Sequence, residues 1–222
     1  MLSVRLVTYV SVAQSCVTRA ASRKGTRATI SKITREKRTV SHYNLNTAAL
    51  PEMISKLNSG DTLTLCGTIY TARDAAHKRL FELLDDNKPL PFPLRGATIY
   101  YAGPTPGQHG MPVGACGPTT SGRMDAFAPR LIELGLSCMI GKGERDNGVI
   151  GAMQKFGAVY LTAVGGAGAL IARAIKKVDV IAFPELGCES IKRMEIADFP
   201  ATVAIDAHGG NLFVSGRREY SK

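Results

Sequence analysis

Between Tyr43 and Asp206 the apolar positions switch repeatedly between a period near two and a period near three and a half, and that switching predicts the elements. Tyr43 to Ala49 alternates loosely, as an edge strand does. Leu50 to Leu57, opened by Pro51-Glu52, reads as a short helix that the Asn58-Ser59-Gly60-Asp61 turn stops. Thr62 to Thr68 is β-branched and apolar, hence a strand. Ala72 to Asp85 sets Ala76, Leu80, Leu83 and Leu84 on one helical stripe. Three prolines between Lys88 and Arg95 make a rigid connection to a strand over Ala97–Ala102. Gly103 to Gly114, punctuated by glycine and proline, is a long loop of the kind that carries function. Met124 to Leu136 reads as a helix with Phe127, Leu131 and Leu134 inward. A strand at Ser137–Ile140, a helix at Asn147–Phe156, a strand at Ala158–Val164 and a helix at Ala169–Lys177 follow. Strands at Val178–Phe183 and Pro200–Asp206 and an extension at Asn211–Ser215 complete the chain. Strands alternating with helices predict a layered α/β domain with a mainly parallel sheet, made mixed by extra strands at its ends.

Composition narrows the setting. The chain has 222 residues, 45% apolar and 21% charged, which suits one soluble domain with a full core. No run reaches the roughly 18 apolar residues of a membrane span. The net charge of +10 raises nucleic acid as a partner, but its distribution removes most of that support. Residues 1–40 hold nine Arg and Lys against the single acid Glu36, so the remainder is close to neutral. An Arg-rich, Ser-rich, acid-poor start that can form an amphipathic helix has the signature of an organelle transit peptide. A secretory signal fits less well, because Thr8, Ser11, Gln14 and Ser15 interrupt its apolar core; a disordered basic arm is the other reading. The leader is therefore set apart, and residues 41–222 are read as the domain. A transit peptide implies the mitochondrial matrix or a related organelle; without one, the expectation is cytoplasmic.

The five cysteines, Cys16, Cys66, Cys116, Cys138 and Cys188, form no CxxC pair and have no histidine at ligand spacing. A self-contained zinc or iron–sulfur site and a disulfide framework are both poor expectations. Cys66 and Cys138 fall in apolar runs and read as buried thiols. Cys116 abuts the loop described next, either as core filler or as a ligand contact.

That loop is Gly117-Pro118-Thr119-Thr120-Ser121-Gly122-Arg123. Ahead of a predicted helix, Thr119, Thr120 and Ser121 stand where N-caps belong, beside free N–H groups and the positive end of the helix dipole. Such a terminus binds anions, and Arg123 adds a fork-shaped cation; capping alone remains the plain alternative. Arg73 opens the Ala72–Asp85 helix against the dipole, with Thr71 as a candidate cap, Asp74 able to pair with Lys78, and His77 on the same face. Arg73 answers either to a ligand or to solvent. Lys142, flanked by Gly141 and Gly143 after a strand, is little shielded and can reach a carboxylate or phosphate. Gly165-Gly166-Ala167-Gly168 departs from GxGxxG and reads as a tight strand-to-helix turn rather than a dinucleotide site. Arg73, Thr119–Arg123 and Lys142 all follow strands, so they can converge on one sheet edge. Two arginines and a lysine suit a substrate with more than one negative charge, such as a dicarboxylate.

The segments Gly67–Lys78 (GTIYTARDAAHK), Tyr100–Pro106 (YYAGPTP), Gly117–Asp125 (GPTTSGRMD) and Ile140–Gly143 (IGKG) resemble the C-terminal domain of class I fumarases. The same domain is the β subunit of two-subunit fumarases and of L-tartrate dehydratase. The resemblance runs from about residue 42 to the end, several long motifs matching in order. It implies a swivelling β/β/α domain and hydro-lyase chemistry on a four-carbon dicarboxylate, fumarate to L-malate or tartrate to oxaloacetate. It also implies an α subunit carrying a 4Fe–4S cluster, with no metal ligand on this chain, and a homodimer of the αβ unit. By resemblance Arg73, Thr120, Ser121, Gly122, Arg123 and Lys142 bind substrate, and Thr119 both binds it and is the proposed base. An anion- or nucleic-acid-binding module without catalysis is the alternative of another class.

Overall fold

A computed structural model describes residues 39–108 and 110–220. The basic leader, except for its last two residues, lies outside the described residues. The elements are β1 (His42–Asn46), α1 (Leu50–Met53) running into a 3-10 turn at Ile54–Lys56, β2 (Thr62–Thr71), α2 (Asp74–Asp85) and β3 (Thr98–Tyr100). A 3-10 turn at Ser121–Met124 precedes α3 (Ala128–Glu133), β4 (Cys138–Gly141), α4 (Asn147–Phe156), β5 (Val159–Thr162) and α5 (Gly168–Ala172). β6 (Ile175–Ala182), a 3-10 turn at Pro184–Glu189, β7 (Ile191–Ile205) and α6 (Leu212–Tyr220) follow.

The seven strands form one mixed sheet in the order β1-β2-β3-β4-β5-β7-β6. The pairings from β1 through β5 are parallel, whereas β7 runs antiparallel to β5, β6 and β2. Because β7 pairs with β2 as well as β5, the sheet curls and partly closes on itself. The expected α/β class with a mixed sheet holds. A bulge at Gly67, whose φ is +106°, accommodates the long β2–β7 pairing.

Strands buried on both faces explain the near-continuous apolar runs of β3, β4 and β5. Tyr100, Ile140 and Leu161 point into the core that α1 and α5 cover. Ile99, Met139 and Tyr160 point to the opposite core, against Ala76 and Leu80 of α2, Leu131 of α3 and Met153 of α4.

Four expected elements are corrected. The Met124–Leu136 helix is a 3-10 turn and a six-residue α3, with Pro129 in the first turn of α3. The Ala169–Lys177 helix ends at Ala172, and residues from Ile175 join β6 instead. The strand at Pro200–Asp206 is the last part of the 15-residue β7, which starts at Ile191 and whose charged Arg193 and Glu195 are solvent-facing positions. The terminal extension is the helix α6.

Candidate active site

β2, β3 and β4 run parallel, so the segments that leave their C-terminal ends share one rim of the sheet. Residues 118–121 lie between two of those ends like an added strand. The Thr119 N–H donates to the Tyr101 carbonyl at 2.7 Å. The Lys142 N–H donates to the Thr119 carbonyl at 3.2 Å, and the Ser121 N–H to the Lys142 carbonyl at 2.9 Å. Thr119 and Lys142 are thus joined through the backbone although 23 positions separate them. Thr119 is half-buried, while Thr120, Gly122, Arg123 and Lys142 are exposed.

Ser121 faces inward. Its hydroxyl is 2.8 Å from the Tyr160 hydroxyl, which itself donates to the Gly143 carbonyl at 2.9 Å, so Ser121 is the donor of that pair. The packing is so close that a Cβ on Gly141 would fall 1.9 Å from Ser121 Oγ. Ser121 therefore anchors the loop on β5.

The two arginines meet at one carboxylate. Arg123 Nε donates to Asp74 Oδ1 at 2.8 Å, and Arg73 Nη2 lies 3.8 Å from Asp74 Oδ2. Arg73 Nη2 is also 3.5 Å from Glu189 Oε1. Its side chain crosses the face of Gly103, where a Cβ would stand 2.9 Å from Arg73 Nη1. Lys142 reaches along Gly165, with 3.5 Å between its Cδ and a Cβ built there, and makes no ion pair among the described residues. The expected Asp74–Lys78 pair gives way to these arginines.

Helix capping takes a different form from the expected one. Thr120 precedes the 3-10 turn without a side-chain cap bond, and α3 starts only at Ala128. The case for an anion site at the loop thus rests on its cations rather than on a helix dipole. Thr71 does not cap α2: its hydroxyl donates to the Ser190 carbonyl at 3.3 Å and accepts the Lys192 N–H at 3.1 Å. Arg73 occupies the cap position of α2, and Glu189 Oε2 accepts the Ala75 N–H at 3.1 Å instead. His77 is fully buried, and its Nδ1–H donates to the Arg73 carbonyl at 2.8 Å. Burial pulls its imidazole down to about 4, outweighing that hydrogen bond.

Residue patterns did not point to the supports beneath the rim. Arg145 is buried, donates from Nε to Asp125 Oδ1 at 2.6 Å, and lies 5.3 and 5.1 Å from the ring centroids of Tyr101 and Tyr160. Asp125 Oδ2 accepts the Asp146 N–H at 2.8 Å, so this ion pair ties the turn after Arg123 to the loop after β4. Lys192 is buried too, and desolvation holds its ammonium below the ordinary lysine range. Nothing local marked either support, since the partner of Arg145 lies 20 positions away and Lys192 answers to backbone carbonyls.

Cys116 is core filler: it is fully buried, and burial pushes its thiol up to about 12. Cys138 is buried, whereas Cys66, expected inside, is exposed on a strand near the sheet edge, as is Cys188 in the turn before β7. Gly168 brings its backbone against Gly117, the Cys116 N–H donating to the Gly168 carbonyl at 3.0 Å, which explains the glycine run as close packing behind Thr119. Among the described residues no three His, Cys, Asp or Glu side chains gather as a metal site. The donors among the described residues do not fit an iron–sulfur cluster.

The family model described as Fumarase C-terminus matches residues 17–216. The chain belongs to that family. It is 44% identical over 153 residues to the anaerobic class I fumarate hydratase of Escherichia coli, covering 68% of this chain and 28% of that protein. It is 41% identical over 175 residues to the mitochondrial fumarate hydratase 1 of Leishmania major, covering 77% of this chain and 32% of the relative. It is 33% identical over 183 residues to the L(+)-tartrate dehydratase subunit beta of Escherichia coli, covering 80% of this chain and 90% of that subunit. The chain thus spans about a third of the fumarate hydratases it matches. In the family member described here, the rim residues Arg73, Thr119, Arg123 and Lys142 come from three strand ends.

Proposed function

We propose that this chain is the β portion of a hydro-lyase that interconverts fumarate and L-malate, active with an α partner that completes the site. The observation that carries the reading is the convergence of Arg73 and Arg123 on one carboxylate, with Arg123 on the same loop as a threonine tied by backbone to Lys142. Two forked cations and a lysine at an open rim fit a four-carbon diacid, whose carboxylates would share or replace the contacts that Asp74 now makes. Arg73, Arg123 and Lys142 bind the carboxylates; the exposed Thr120 and Gly122 line the approach; Ser121 holds the loop.

Thr119 takes the carbon-bound proton in dehydration and returns it in hydration. A threonine hydroxyl is a very weak acid, and neighbouring cations lower the cost of its alkoxide. The 4Fe–4S cluster belongs to the α partner in this reading. A homodimer of the αβ unit, a swivelling β/β/α domain and a mitochondrial location complete it, the last supported by the basic leader and by the mitochondrial Leishmania relative.

Tartrate dehydration is the second reading, favoured by one observation. The chain is also similar, at 33% identity over 183 residues, to the L(+)-tartrate dehydratase subunit beta of Escherichia coli. Identity favours fumarate, at 44% against 33%. The test is to co-purify the chain with its partner and assay it anaerobically on fumarate, L-malate and both tartrate enantiomers. The Thr119→Ala complex should lose at least about 100-fold in turnover while still binding substrate. Near-normal turnover in that variant would remove Thr119 as the base.

A further inference from the structure

We infer that Glu189 and Lys192 are positioning residues for the substrate-binding arginine, through a turn latched onto the end of β2. This rests on the proposed role of Arg73. The turn at Pro184–Glu189 is remote in sequence from Arg73, yet it meets it on two sides. Glu189 faces the Arg73 guanidinium with one oxygen and the Ala75 N–H with the other. The Cys188 carbonyl stands 3.3 Å from the Cβ position of Gly103, the point that Arg73 Nη1 also approaches. The guanidinium is thereby held between a carboxylate and a glycine face, with its side chain only 19% exposed.

Lys192 fixes that turn from within. Its Nζ lies 3.0 Å from the Gly187 carbonyl, 3.2 Å from that of Cys188, 3.3 Å from that of Ser190 and 2.6 Å from Ser190 Oγ. It pairs with no carboxylate among the described residues, so its charge is spent on backbone carbonyls. A buried ammonium is costly unless its donors are used, and here they are used to hold a turn with a strained backbone. Phe183, which opens the turn, has a φ of 55°, a left-handed conformation that costs a non-glycine residue energy. Lys192 is also the register partner of Thr71, two residues before Arg73. The latch therefore runs from Lys192 to the turn, from the turn to Glu189, and from Glu189 to Arg73.

A fixed guanidinium binds a carboxylate with less ordering than a free one, so the latch acts on substrate affinity and not on proton transfer. The test uses the assembled complex and the dicarboxylate that the wild type turns over. Glu189→Gln keeps an acceptor for Ala75 and should raise KM about tenfold with kcat within about twofold. Lys192→Met should reproduce the KM change. The double variant should lie within about twofold of either single, because both act through one contact. An unchanged KM in both singles overturns the inference. A lowered KM for Glu189→Gln overturns it as well, since the carboxylate would then be a competitor for Arg73. Independent, multiplying effects would reduce the two residues to separate structural roles. A wild-type complex inactive on every dicarboxylate overturns the functional reading itself, an outcome distinct from these.

Discussion

His77 offers a direct measure of how completely the fold desolvates the core beneath Arg73. The imidazole sits with ring centroids 5.6 Å from both Tyr101 and Phe127, fully buried, with Nδ1–H spent on the Arg73 carbonyl. Asp74 favours its protonation, but desolvation and the Arg145 charge oppose it, leaving it at about 4 against an ordinary 6.5. Below pH 6.5 the unfolded chain takes up a proton that the folded chain refuses until about pH 4. The stabilisation is therefore complete above pH 6.5 and is lost as pH falls toward 4. A shift of this size is worth about 3 kcal/mol. Urea denaturation monitored by circular dichroism should show the wild-type midpoint falling by roughly 1.5 M between pH 7.5 and pH 4.5 on this account alone. His77→Phe fills the same aromatic space, and the Arg73 carbonyl keeps its 2.8 Å bond from the backbone N–H of residue 77. That variant should lose the His77 share of the pH dependence. Parallel stability curves for the two proteins across this range would refute the placement of a neutral, desolvated imidazole beneath Arg73.

The other expectations concern the supports and the thiols. Asp125→Ala strands the buried Arg145 guanidinium and should cost about 3–5 kcal/mol in thermal or denaturant unfolding, partly recovered in Asp125→Ala/Arg145→Met; a cost below about 1 kcal/mol, or no recovery, would mean the pair does not anchor the turn after Arg123. Iodoacetamide at pH 8 should alkylate the exposed Cys66 and Cys188 and spare Cys116 and Cys138 until the chain is denatured, as read by peptide mass spectrometry; rapid labelling of Cys116 in the folded chain would contradict its burial behind Thr119.

What could be read along the chain follows from local periodicity and from the residue types that strand ends carry. The alternation of elements, the mixed sheet, and the candidates Arg73, Thr119, Arg123 and Lys142 each came from local patterns no longer than about a dozen residues. The long β7 did not, because antiparallel pairing with three strands is a property of partners, and the charged Arg193 and Glu195 interrupt its apolar run. The α3 helix shrank because the chain after Arg123 is tied down by the buried Asp125–Arg145 pair and its stripe residues serve a bend as well as a helix.

Sequence alone determined that Arg73 and Lys142 follow strands, since each strand and the residues just after it are neighbours in the chain, whereas Arg123 comes to the same rim through the long loop after β3. Only the tertiary structure decided that Asp74 joins two arginines 50 positions apart, that Ser121 turns inward, and that Glu189, on a turn fixed by Lys192, reaches Arg73 beside the β2–β7 pairing. Hydrogen bonds and ion pairs act over a few ångströms in space, whereas a sequence pattern reports only separations along the chain.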